Sequence, residues 1–289
     1  MKIKIKLFLM LTYIFGILLA GFNILLYKNY VNPESLLVTA SPIVTSFTVC
    51  CAVAVVFMFV LPCFTVKKVM LAKETDNNSF MIFCSSLLGF LFAGYTVSSL
   101  FSLIKNSATC TALNISAGAS FDGMLRIIYY LGVLLAIPSA VYFIVLALQP
   151  KIRADAKLCL LSVAPVLWCA VRLIYVFMQT SARVNIAGRK ISIVAFCLCV
   201  IFFLCESKLC APKEDSVKSR RETAGVLKLY IASGCGAIVS LWISQIATTL
   251  LQAFWILPLY ESYILNSIFI TMTLYITSRI SSADFEALE

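Results

Sequence analysis

The sequence predicts an all-α integral membrane protein, a polytopic transmembrane helix bundle of about eight spans with both termini cytoplasmic. Three observations lead there. Of 289 residues, 62% are hydrophobic and 12% charged, and the mean hydropathy is +1.00; a soluble domain is about 45–50% apolar and about 25% charged. The apolar residues fall in runs near the ~20 residues that a helix needs to cross a bilayer. The Lys and Arg residues collect between alternate runs, as the positive-inside rule requires.

The first span covers residues 7–27 behind Lys2, Lys4 and Lys6. Its apolar run exceeds a signal peptide's ~7–15 residues and further spans follow, so it reads as an uncleaved helix. Thr12, Gly16, Ala20 and Asn23 give it a small, polar stripe suited to close packing. The second span, 36–65, is long enough to tilt or bend, with Pro42 and Pro62 at its ends and a small face of Ser41, Thr45, Thr48 and Ala52. Lys67, Lys68 and Lys73 follow it on the cytoplasmic side. The third span, 80–104, spaces Ser85, Gly89 and Ala93 by four and leads into the longest external loop, 105–122, which carries the sequon Asn114-Ile115-Ser116. The fourth, 123–148, has Arg126 near its outer end and Pro138 inside it.

The fifth span, 158–181, carries Arg172, and the sixth, 191–210, reaches its full length if Glu206 and Lys208 snorkel to the surface. A basic cytoplasmic loop, 211–222, precedes the seventh span, 225–249, whose small face is Gly236, Ser240 and Ser244. Phe254, Trp255, Pro258 and Tyr260 have the composition of an interfacial turn. The eighth span, 262–280, ends at Arg279. Sixteen of the 23 basic residues then fall inside, six outside, and Arg172 within a span. Seven spans is the alternative count, because the sixth and eighth are the shortest. No loop is long enough to fold with its own core, so the chain is one membrane domain, 1–289, and its plain setting is the plasma membrane.

The net charge of +10 is accounted for by this topology and by attraction to anionic headgroups. No basic stripe with interleaved aromatics lies outside the spans, so nucleic acid is not an expected partner. The 12 cysteines lie mostly within apolar runs, where a thiol behaves as a small hydrophobe. Cys110 alone falls in an external loop; Cys205 and Cys210, near a span end, are acylation candidates. With no His in the chain, no metal site and no cofactor are expected.

A charge at membrane depth costs roughly 2.5–3.5 kcal/mol on insertion scales and marks a functional candidate. Arg172 lies about nine residues, or about 13 Å, below the outer end of its span. Trp168, Tyr175 and Gln179 share its face, at one turn before and one and two turns after. Gln245 and Asn266, with Tyr129 and Tyr130, fall in the same outer half. The expected site is an outward-facing cavity in which Arg172, Trp168, Tyr175, Gln179, Gln245 and Asn266 bind or pass a small anionic or polar solute. A guanidinium suits carboxylate or phosphate because its planar fork bonds two oxygens at once. The competing reading makes Arg172 structural, bonding backbone carbonyls near Pro138 or Pro165. A second function class is an accessory or sensing subunit that docks a partner membrane protein, or a further copy, through Gly and Ser faces.

Enzymatic signatures are missing: there is no P-loop, no G-x-S-x-G, no H-E-x-x-H and no dinucleotide fingerprint. The carboxylates nearest the spans, Glu34, Asp122, Glu206 and Glu261, sit at loop or span ends. The sequence therefore places no acid at membrane depth, which argues against a proton relay.

Overall fold

A computed structural model describes residues 2–31, 41–65, 69–71, 74–76, 78–105, 119–149, 151–153, 156–182, 189–211, 217–253, 263–282 and 285–287. Its helices are α1 (Lys2–Tyr30), α2 (Pro42–Thr65), α3 (Ser79–Lys105), α4 (Ala119–Leu148), α5 (Ala156–Ala182), α6 (Arg189–Cys210), α7 (Val217–Leu241), α8 (Ala247–Ala253) and α9 (Tyr263–Ser282). A π-helical turn, Trp242–Ile246, joins α7 to α8 without a break, so the two make one span. Seven helices are long and apolar enough to cross a membrane. The chain is a polytopic membrane helix bundle.

The eighth expected span is α9. It is long enough to cross, but Asn266, Thr271, Thr273, Ser278 and Arg279 make it polar. It tolerates them because it packs inside the bundle, between α3 and α7, and all five are buried. The sequential pairs α3–α4, α4–α5, α5–α6 and α6–α7 are neighbours, while α1 and α2 lie against α7. Burial ranks the helices. The α7–α8 span is 78% buried and forms the axis, whereas α2 is 17% buried and forms the periphery. Every residue from Tyr230 to Leu241 is buried.

Small residues let these helices approach, as their spacing suggests. A methyl group on Gly16 would stand 3.1 Å from the Trp242 side chain, and one on Gly89 would stand 2.6 Å from Ile144. Thr12, Gly16, Ala20 and Asn23 all face inward.

Three features depart from the sequence reading. Helix α7 begins at Val217, inside the expected loop 211–222; Lys218, Arg220, Arg221 and Glu222 are good helix formers, so the helix runs on past the bilayer. Pro42 opens α2, where its missing N–H is harmless, but Pro62 lies within the helix rather than at its end. Two short antiparallel pairs also form in the connections: β1 (Val69–Leu71) with β4 (Phe285–Ala287), and β2 (Glu74–Asp76) with β3 (Lys151–Arg153). They gather the α2–α3 connection, the α4–α5 connection and the segment after α9 on one face. The sequon, Cys110 and the Phe254–Tyr260 turn (254–260) lie outside the described residues.

Candidate functional site

Helix α5 presents Trp168, Arg172 and Tyr175 to the bundle interior, at 0%, 4% and 7% exposure. The guanidinium carbon of Arg172 stands 5.0 Å from the centre of the Tyr175 ring, a cation–π arrangement that partly replaces lost hydration. Tyr175 in turn faces Tyr129 of α4, with centroids 6.4 Å apart, and Tyr129 donates its hydroxyl hydrogen to Ser99 of α3 at 3.2 Å. Trp168 is wedged edge-on against Phe92 at 4.8 Å and lies 6.2 Å from Phe269. Its indole N–H is buried without a hydrogen-bond partner. The expected stripe is therefore real as far as Tyr175; the Gln179 side chain lies outside the described residues.

Gln245 and Asn266 are buried as well, at 9% and 4% exposure. Gln245 sits in the π turn and donates through Nε2 to Ser192 Oγ of α6 at 3.1 Å. The π turn closes by a bond from the Ala247 N–H to the Trp242 carbonyl. It offers the Ile243 carbonyl sideways, and Asn23 of α1 donates to that oxygen at 2.7 Å. Single π turns inside α-helices recur at functional positions. No residue type in the run WISQI announces one. The described members of the expected site are thus all in the interior.

A second polar group differs from the sequence expectation. Glu206 does not snorkel. Its side chain is fully buried, and Oε1 accepts from Arg279 Nε at 2.5 Å and from the Tyr275 hydroxyl at 2.8 Å. Its other oxygen, Oε2, is buried with no hydrogen-bond partner. Tyr142 of α4 and Tyr230 of α7 are within electrostatic range of the pair. The Tyr142 hydroxyl lies beside that of Tyr275 without meeting hydrogen-bond geometry. The sequence reading failed because Glu206 and Arg279 lie 73 residues apart, and each alone looks like a residue at a span end. The clue was that Glu206 is the one acid within the apolar spans.

The acylation candidates also change status. Cys205 and Cys210 are 4% and 3% exposed, which withholds both sulfurs from an acyl donor. No protein family, characterised protein or solved structure matches this chain.

Proposed function

We propose that the protein binds a small anionic or polar solute at Arg172 and passes it across the plasma membrane, without covalent chemistry. One juxtaposition carries the reading: the orphaned indole N–H of Trp168 lies one helical turn from the buried guanidinium of Arg172. Both side chains are donors only. The Trp168 N–H, a buried donor without an acceptor, costs about 1–3 kcal/mol, and an acceptor-rich solute removes that cost. The Tyr175 ring stands against the guanidinium, so an oxyanion entering there meets donors and a ring. In this reading, entry requires the outer ends of α5, α6 and α9 to part.

The test is thermal unfolding of the purified protein against a panel of small carboxylates and phosphates. At least one should raise the midpoint in the wild type and not in Trp168→Phe or Arg172→Gln. A flat response across the panel ends this reading. Cysteine accessibility from outside the cell, at positions 172, 245 and 266, separates a cycling site that labels from a packed one that does not.

A second reading, docking of a partner membrane protein or a further copy, is favoured by one observation. The small faces of α1 and α3 are filled within the bundle, but Thr45, Thr48 and Ala52 of α2 remain exposed. Thr48 bonds its own helix at Val44 O, 2.9 Å, leaving a smooth lateral face. A stoichiometric companion on gentle solubilisation supports docking; a monodisperse lone chain counts against it.

A further inference from the structure

We propose that Arg126 is a capture site for the oxyanion that Arg172 binds, and that the Tyr129–Tyr175 pair joins the two cations into one path. The inference rests on the reading of Arg172 and adds to it a second station, nearer the surface.

It begins with a cation that has nothing to hold. Nε of Arg126 is buried, and among the described residues it has no hydrogen-bond partner. The residue as a whole is half-buried, so it stands where solvent and interior meet. A guanidinium has five N–H donors and no acceptor, and carboxylate and phosphate are the groups its planar fork fits. Among the described side chains the one carboxylate is Glu206, four residues before the end of α6 and so at the other end of the bundle.

The register of two neighbouring helices sets where Arg126 lies. Helices α4 and α5 are antiparallel neighbours. A methyl group on Gly132 would stand 3.6 Å from Val171, and Tyr129 faces Tyr175 one turn further along. Gly132 is therefore level with Val171 and Arg172. Arg126 precedes Gly132 by six residues, which puts it about 9 Å nearer the end of the bundle opposite the strand pairs. Tyr129 lies halfway between these levels and shares a side of α4 with Arg126.

Exposure falls in order along this line. Tyr130, edge-on to Tyr129 at 6.0 Å, is exposed; Arg126 and Tyr129 are half-buried; Tyr175, Arg172 and finally Trp168 are buried. The edges of the intervening rings carry positive partial charge. The Tyr129 hydroxyl is turned aside, donating to Ser99. Two cations at successive depths suit passage, because an anion that binds at several sites of moderate strength can both enter and leave.

Quenching of Trp168 emission by iodide tests the path before the solute is known. The full chain is held in an uncharged detergent, with Trp168 left as its one tryptophan by Trp242→Phe and Trp255→Phe. Iodide should quench Trp168. Arg126→Gln should lower that quenching several-fold, Arg126→Lys should keep it, and quenching by neutral acrylamide should be the same in all three. Should the Gln variant not fold, Arg126→Met, which preserves the apolar stem, carries the same decision. If iodide does not reach Trp168 even with Arg126 in place, the reading of Arg172 falls and the path falls with it. If iodide quenches equally with Gln at 126, the reading of Arg172 stands and the capture site is overturned. A parallel loss of acrylamide quenching reports a tighter fold rather than a lost charge, and it also overturns the capture site.

Two further arms fix the chemistry. Asp122, one turn before Arg126, has its side chain outside the described residues. Asp122→Asn with Arg126→Gln removes both charges and should quench as weakly as Arg126→Gln alone; recovery to the original quenching makes the effect that of Asp122 and overturns capture. Inorganic phosphate or acetate should protect Trp168 from iodide while Arg126 is present and lose most of that protection in Arg126→Gln. Protection by phosphatidylglycerol alone assigns Arg126 to a lipid headgroup, and that result, or protection by none of the three, overturns capture of a free solute.

Discussion

Asn23 of α1 donates its side-chain N–H to the main-chain carbonyl of Ile243, 2.7 Å away and 220 residues later in the chain. The bond fastens the first helix to the π turn of the axial span. Both partners are buried, at 6% and 0% exposure, so neither has water to fall back on.

Replacing Asn23 with Leu should therefore destabilise the bundle by roughly 0.6–2 kcal/mol, the usual range for a hydrogen bond between membrane helices. The thermal midpoint in detergent measures it. An unchanged midpoint would mean that the π turn satisfies its carbonyl in another way.

At Gly89 the constraint is steric. An added methyl would meet Ile144 Cγ1 at 2.6 Å and the Ala140 carbonyl at 3.3 Å, so Gly89→Val should cost about 1–3 kcal/mol. Ile144→Ala should restore part of that loss. Gly94→Ala, on the same helix with open space around it, should leave the midpoint where it was.

The Glu206–Arg279 pair invites a double-mutant cycle. Removing one partner of a buried pair costs about 3–5 kcal/mol, whereas replacing both by apolar residues is often neutral or stabilising. Arg279→Met alone should lower the midpoint sharply, and Glu206→Met with Arg279→Met should recover most of it. Additive losses would show that the two residues contribute to stability independently.

Trp168→Phe separates chemistry from packing at the proposed solute site. The exchange keeps an aromatic ring facing Phe92 and Phe269 but removes the N–H. The solute-free protein should keep its midpoint to within a degree or two, about what a few tenths of a kcal/mol produce in a domain of this size. Stabilisation by the solute should fall at least several-fold. A comparable fall in the solute-free midpoint would make Trp168 a packing residue.

The bundle was legible in the sequence because lipid imposes a length and a composition on every span, and these are local properties. The stripe through Trp168, Arg172 and Tyr175 was legible for the same reason, since helical periodicity places it. What could not be read depends on contacts between distant segments. The π turn at Trp242–Ile246 has no Pro or Gly to mark it and is held from outside by Asn23 and by Trp242 packing on Gly16. Glu206 looked like a snorkelling residue because its position in α6 is compatible with either fate, and only Arg279 and Tyr275 decide between them. The exposed face of α2 resembled the buried faces of α1 and α3 because small residues announce close packing without saying against what.

The interior position of α9 has a consequence for how the protein is made. Ribosomes deliver helices in chain order, yet the helix that fills the space between α3 and α7 is synthesised after both of them. Glu206 enters the bilayer before its cation exists, and Trp168 of α5 waits for Phe269 to reach it. A nascent chain halted ahead of Tyr263 would hold an uncompensated acid and an open seam, the features by which membrane quality control recognises an unfinished protein. Assembly should thus be late and all at once, with protease resistance appearing only after α9 has been inserted.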